Sequence, residues 1–263
     1  MKKLVLIAAL FLTACSPQNS KDLEVDTEST GIVGGEQVES ASAVGRSTVG
    51  LYDSKIGYIC SGTLIAKNLI LTAGHCVDPK SQNLVAIFAP EMKKAKKEHI
   101  RKVTKWIVHP NYSTEIVERD MADIAIVKIE GEAPVGFQVA PLLFGSQLIQ
   151  NDVRTIVAGY GLNWTIGLKR GAGTLRTTTL TIDKAYYSQT EALLGQSLRR
   201  GICSGDSGGP AYVSINGQLH VWGVASRGDS LPGFLTPKCM LFSVFTRVDA
   251  YQTWIEQSIT DLN

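Results

Sequence analysis

Several features are scarce or missing in this 263-residue chain. It has no Cys-x-x-Cys pair, which removes a common spacing for structural zinc or a redox dithiol. Charge is sparse and nearly balanced. Lys and Arg number 26 against 24 Asp and Glu, and the net value of +2 gives too little field to indicate a nucleic-acid partner. Apolar runs long enough to cross a membrane are missing, because the stretch from Leu4 to Leu12 is too short. Helical periodicity is scarce through the middle of the chain, which argues against a helical bundle.

What is present is an ordinary globular composition, 44% hydrophobic and 19% charged, with 25 glycines. Short apolar runs alternate with turns: YICSGTLI (58–65), NLILTAG (68–74), NLVAIFA (83–89), DIAIVKI (123–129), RTIVAGYG (154–161), GTLRTTTLTI (173–182), GPAYVSI (209–215), LHVWGVAS (219–226) and FSVFTRV (242–248). Many short strands at close spacing predict an all-β barrel or sandwich. Near the C-terminus, Val248, Tyr251, Trp254, Ile255 and Ile259 fall on one helical face, which predicts a packed helix over about 248–260. The lysine-rich run EMKKAKKEHIRK (91–102) reads as a solvated basic surface loop, with an anionic-surface patch as the alternative.

The N-terminal MKKLVLIAALFLTAC has two lysines, a short apolar run and small residues before Cys15, the pattern of an export signal over 1–14. Its LTAC resembles the lipobox of bacterial lipoproteins. That resemblance implies a lipidated Cys15, and Ser16 after it implies outer-membrane sorting. Residues 15–31 are polar and acidic and read as a tether or pro-segment. Without Cys15 four cysteines remain: Cys60, Cys76, Cys203 and Cys239. An even number in an exported chain predicts two disulfides, and three pairings are open.

CSGDSGGPAY (203–212) places Ser207 between an acid and two glycines on a turn-rich segment. Such a loop exposes the serine and lets backbone N–H groups converge on a developing oxyanion. The serine needs a base. Of His75, His99, His109 and His220, His75 has the best mount, at the end of an apolar strand and beside Cys76. His99 reads as solvated, His109 as a turn residue and His220 as packed or at an edge. Asp123, at the mouth of DIAIVKI, is the carboxylate best placed to orient an imidazole. Asp120 is its rival.

These segments, IVGG (32–35), LTAGHC (71–76), DIAIV (123–127), AGYG (158–161), GDSGGP (205–210) and FTRV (245–248), resemble those of the trypsin/chymotrypsin-type serine endopeptidases. The resemblance spans Ile32 to the end. It implies two perpendicular six-stranded antiparallel barrels, over about 32–145 and 150–247, within one peptidase domain at 32–263. It further implies His75 as general base, Asp123 as orienter and Ser207 as nucleophile. Gly205 and Ser207 would supply the oxyanion hole, and the disulfides would be Cys60–Cys76 and Cys203–Cys239. Cleavage at Gly31–Ile32 would free an ammonium to pair with Asp206. The residue before that bond is not the usual Arg or Lys, so an unidentified protease would make the cut. The primary pocket aligns with Gly201, Ile202, Ser226, Arg227, Gly228 and Ser243. Gly201 carries no charge, so the expected preference is apolar or aromatic rather than basic. Arg227 stands where an aromatic is usual, and is expected either to attract an acidic substrate group or to point to solvent.

The expected protein is therefore an exported monomer acting on polypeptides, with no cofactor, metal or nucleic acid. Before activation it is membrane-attached through Cys15, at the outer membrane or in the periplasm. The other reading is a catalytically silent binding module of the same fold, which an intact Ser207, His75 and Asp123 disfavour.

Overall fold

The computed structural model describes residues 32–77, 83–113, 119–163, 170–197, 199–229 and 239–263. The expected signal (1–14), Cys15 and the tether to residue 31 lie outside the described residues. Among the described residues, thirteen strands follow in chain order: β1 Glu36–Gln37, β2 Thr48–Asp53, β3 Tyr58–Ala66, β4 Leu69–Thr72, β5 Leu84–Ile87, β6 Ile100–Val108, β7 Ala125–Ile129, β8 Arg154–Gly159, β9 Arg176–Lys184, β10 Glu191–Gly195, β11 Pro210–Ile215, β12 Gln218–Gly228 and β13 Phe242–Arg247.

They form two closed six-stranded antiparallel barrels. The first runs β2-β3-β4-β7-β6-β5. The second runs β8-β9-β10-β13-β12-β11 and is closed by the β8–β9 pairing, with β1 added outside β9. Closure leaves no long unpaired edge, which suits a chain built of short strands. Val49, Leu51, Leu64, Leu69, Leu71 and Ile126 fill the first core. Val157, Leu180, Ile182, Leu194, Trp222 and Phe245 fill the second. The one polar atom of the Trp222 ring is satisfied inside that core, donating from Nε1 to Thr155 Oγ1 at 2.8 Å.

Apolar runs foretold β4, buried at every position, and β7. β2 went unannounced although all of it but Tyr52 is buried, and two other missed strands have different patterns. β6 keeps Val103 buried while Thr104 and Lys105 face solvent, so charge hides its register. Part of the expected 91–102 loop is in fact ordered as two 3-10 turns, Met92–Lys94 and Lys97–His99, followed directly by β6. β10 begins on a buried glutamate, Glu191, which no apolar pattern announces.

A short helix, α1 (Ala43–Ser47), precedes β2, and Ser42 caps it by accepting from Gly45 N at 3.0 Å. The C-terminal helix α2 covers Gln252–Leu262, after a 3-10 turn at Asp249–Tyr251. Although it follows the second barrel in the chain, Val248, Tyr251, Ile255 and Leu262 belong to the first barrel's core. Lys128 Nζ donates to the Leu262 carbonyl, satisfying an orphan acceptor at the helix end. No described helix is long and apolar enough to cross a membrane.

The helix therefore clasps the two barrels together. Truncating its fully buried Ile255 to alanine is expected to lower unfolding stability by about 2–5 kcal/mol. Urea unfolding checks this, and a loss below about 0.5 kcal/mol would show that the helix adds little.

Candidate active site

β4 ends at Thr72 and passes into the 3-10 turn Gly74–Cys76, which carries His75. A disulfide from Cys76 to Cys60 on β3 pins this turn. Asp123 arrives just ahead of β7, in a tight turn where Ile124 N donates to Ala122 O at 2.9 Å. β4 and β7 are paired neighbours, Thr72 opposite Ala125, so the two side chains meet at one end of that pair. Asp123 Oδ2 lies 2.8 Å from His75 Nδ1, and Asp123 Oδ1 accepts from the His75 backbone N at 2.9 Å. From the second barrel, Ser226 Oγ donates to Asp123 Oδ2 at 2.7 Å.

Asp123 is 2% exposed. Burial alone would raise its carboxyl, but the hydrogen bonds and charge of His75, together with the Ser226 bond, outweigh burial and hold it below the ordinary value. It is therefore an anion at neutral pH. Its charge, after burial, helps push Tyr112 up to about 12 and raises Tyr58 as well, so both phenols keep their protons. The His75 side chain is 24% exposed, open enough to exchange a proton with a ligand. With Nδ1 on the carboxylate, Nε2 is left as the working nitrogen.

Ser207 sits half-buried on the turn between Cys203 and β11. The first barrel grips this turn from below. Ser61 N donates to Ser207 O at 2.7 Å, and Ser61 Oγ donates to Gly205 O at 2.9 Å. The Cys76 sulfur lies 3.5 Å from Ser207 O, which brings the serine's main chain against the residue following His75. Gly208 has φ +78, and a Cβ there would lie 2.1 Å from Thr72 Oγ1. Only glycine fits so close an approach between the barrels. Among the described residues, the Gly205 and Ser207 amides have no hydrogen-bond acceptor, so both remain available to a ligand oxygen.

Ile32 is fully buried in the second core, and Val33 bridges to Gly201 through Gly201 N donating to Val33 O at 3.1 Å. Gly34 lies so near Arg199 that a Cβ would overlap its carbonyl oxygen at 1.6 Å, which accounts for the first glycine of IVGG. Asp206 is fully buried and accepts from Gly161 N at 2.7 Å and Cys203 N at 2.8 Å. Burial pushes its carboxyl up to about 7 despite these two bonds. No ion pair to Asp206 occurs among the described residues.

A cavity of about 210 Å³ opens beside Ser207. Ile202, Ser204, Ser226, Arg227, Gly228 and Asp229 line it, together with the Cys203–Cys239 disulfide. Gly201 and Ser243 are not on its described wall. Gly201 is buried against the Gln196 amide, which brackets Ile202 by accepting from its N at 2.8 Å, and Ser243 is fully buried. Arg227 departs from both expectations. Its guanidinium makes a two-pronged pair with Glu191, Nη1 to Oε1 at 2.6 Å and Nη2 to Oε2 at 2.9 Å. It is thus neither directed to solvent nor a lone cation.

Four functional neighbours escaped the sequence reading. Ser61, Gln196 and Glu191 had no signal beyond Ser61's place next to Cys60. Asp229 had none either. It rims the cavity while its Oδ1 accepts from Met240, Leu241 and Phe242 N at 3.0–3.3 Å. The other histidines lie elsewhere. His109 packs edge-on against Tyr251 and Trp254, His99 accepts from Lys96 N, and His220 Nδ1 meets Gln218 O.

Two closed barrels, with a histidine–carboxylate pair from one facing a serine turn of the other, define a two-barrel serine hydrolase scaffold. Residues 32–255 match the trypsin family, and the chain belongs to it. Chymotrypsin-like elastase family member 1 of Canis lupus familiaris is 32% identical over 217 residues, covering 77% of this chain and 81% of the relative. The Bos taurus protein of the same name is 29% identical over 275 residues, covering 98% and 99%. Human Kallikrein-11 is 29% identical over 217 residues, covering 78% and 73%.

The Asp206 environment makes a signed prediction for the uncut chain. A carboxyl raised from 3.8 to about 7 binds more protons folded than unfolded between those values. Stability therefore falls as pH rises from about 4 to 7, by on the order of 4 kcal/mol if the whole shift is expressed. Urea unfolding at pH 5 and pH 8 should show about 2–3 kcal/mol of that drop, and Asp206→Asn should remove most of it. An equal slope in the variant would contradict this.

Proposed function

We propose that this protein is a serine endopeptidase that hydrolyses peptide bonds through an acyl-enzyme. The observation that carries the reading is the buried Asp123 anion on His75 Nδ1, fixed from the other side by Ser226. In this mechanism His75 Nε2 takes the Ser207 proton as Oγ attacks the scissile carbonyl. The Gly205 and Ser207 amides hold the oxyanion, and each such donor is worth about 3 kcal/mol in the transition state. The imidazolium then protonates the leaving amine. Water, deprotonated by the same His75, attacks the acyl-enzyme and frees Ser207. Asp123 stays ionised throughout, fixing the tautomer and stabilising the imidazolium.

The same reading makes the uncut chain a zymogen cleaved at Gly31–Ile32 by another protease. Two features support this. Ile32 is β-branched yet has φ +44, a strained left-handed value that costs about 1–3 kcal/mol. The torsion ceases to exist once the preceding carbonyl is cut away. Asp206 is a buried acid without a cation, and the new ammonium would supply one. Pairing there would lower the Asp206 carboxyl and tighten the turn bearing Gly205 and Ser207.

The preferred residue before the scissile bond is apolar or aromatic. Ile202 and the disulfide give the cavity apolar walls, Glu191 neutralises Arg227, and three backbone amides engage Asp229. The protein acts as an exported monomer, held to the outer membrane through lipidated Cys15 until activation. Cys15 is the one cysteine before Ile32, so no disulfide would retain the cut enzyme. Uncut protein should partition into detergent and Ile32-started protein into buffer. Ile32-started protein found in the detergent phase would contradict release.

The direct test is a peptide-library digest with the Ile32-started enzyme, alongside Ser207→Ala. Cleavage after Leu, Phe, Tyr or Met is expected, and Ser207→Ala should lower kcat on the order of 10^6-fold. Full turnover by a folded Ser207→Ala variant would overturn the mechanism, and strong cleavage after Arg or Lys would overturn the pocket reading.

A further inference from the structure

The backbone that delivers Asp123 is strained. Asp120 has φ +57 and Ala122 has φ +51, and Ala122 is buried. Residues with a Cβ hold the left-handed region in pairs only where the surroundings impose it. The surroundings here belong to the second barrel. From the turn before β10, Ser188 Oγ, Thr190 Oγ1 and Thr190 N converge on Asp120 Oδ1 at 2.6, 2.6 and 3.1 Å. One residue on, Glu191 Oε1 accepts from Met121 N at 3.3 Å. From β13, Thr246 Oγ1 donates to Asp123 O at 3.1 Å.

Glu191 also reaches the other side of Asp123. Its carboxylate, 1% exposed, takes both prongs of Arg227. Arg227 follows Ser226, and the β12–β13 register shifts between Ala225 and Arg227, so Ser226 sits in a bulge. A bulge re-aims a side chain, and here it turns Ser226 Oγ onto Asp123 Oδ2. A single buried carboxylate thus ties down the segment two residues before Asp123 and the residue after the serine that bonds it.

We propose that Glu191 and Asp120 are positioning residues, a polar clamp from the second barrel that holds the strained 120–122 backbone and the Ser226 bulge so that Asp123 meets His75. Neither lines the cavity beside Ser207. The clamp would explain why an acid and an arginine occupy positions beside the cavity without giving it a charge preference: each neutralises the other and serves the catalytic carboxylate. The inference rests on Asp123 orienting His75 in a peptidase.

The test uses the Ile32-started enzyme and the geometry of the acceptor. All three donors meet one oxygen of Asp120, so asparagine, which keeps an acceptor and tolerates the left-handed backbone, should substitute. Glycine relieves the backbone but removes the acceptor. For a peptide p-nitroanilide, Asp120→Gly and Glu191→Gln should each lower kcat by about 10–100-fold, while KM stays within about twofold. Asp120→Asn should retain kcat within about threefold. In a crystal structure of Asp120→Gly the Asp123 Oδ2 to His75 Nδ1 contact of 2.8 Å should lengthen. Wild-type kcat in Asp120→Gly and Glu191→Gln, an Asn variant as impaired as the Gly variant, or an unmoved 2.8 Å contact would overturn the clamp. The contact is read without turnover, so an unmoved contact refutes the clamp alone. Absence of hydrolysis by the parent enzyme refutes the peptidase reading instead.

Discussion

A buried negative charge governs this molecule. Removing the Asp123 carboxylate from water costs several kcal/mol before compensation. Three donors offset that cost: the backbone and ring nitrogens of His75 and the hydroxyl of Ser226. They come from different elements, and Ser226 belongs to the other barrel. The charge therefore has its full set of donors only when the barrels are docked. An anion so enclosed has few partners left, and its ring partner is the His75 imidazole at Nδ1.

The barrels look built to serve that junction. Ser61 on β3 reaches across to the turn carrying Ser207, while Thr246 and the 188–191 stretch reach back to the segment carrying Asp123. Gly208 lets the two frames approach to a distance that any side chain would prevent. Helix α2 closes the arrangement by returning the end of the chain to the first barrel's core. Each barrel thus supplies part of the support for the other's segment of the site.

Much of this was legible in the sequence. Apolar runs marked strands such as β4 and β7, and the helical period of Val248, Tyr251, Trp254, Ile255 and Ile259 marked α2. His75 and Asp123 stood out because each lies at an end of such a run, and Ser207 because it lies between an acid and two glycines on a turn. β6 stayed hidden because its buried positions are diluted by lysines. Glu191 stayed hidden because a buried acid is recognisable only by its distant partner, Arg227. The Arg227 expectation failed for the same reason: a sequence shows the cation but not the carboxylate folded against it. Gly201 was placed on the pocket wall by alignment, whereas Gln196 occupies the space against it.

The central claim is that Asp123 holds His75 by a charge-assisted hydrogen bond at Nδ1. Proton NMR of the folded enzyme, with ¹⁵N-labelled histidine to assign the signal, observes that proton itself. A far-downfield resonance coupled to His75 Nδ1 is expected at neutral pH and should vanish in Asp123→Asn. A His75 that instead carries its proton on Nε2 in the folded wild-type enzyme, with no downfield signal from Nδ1, would contradict the account.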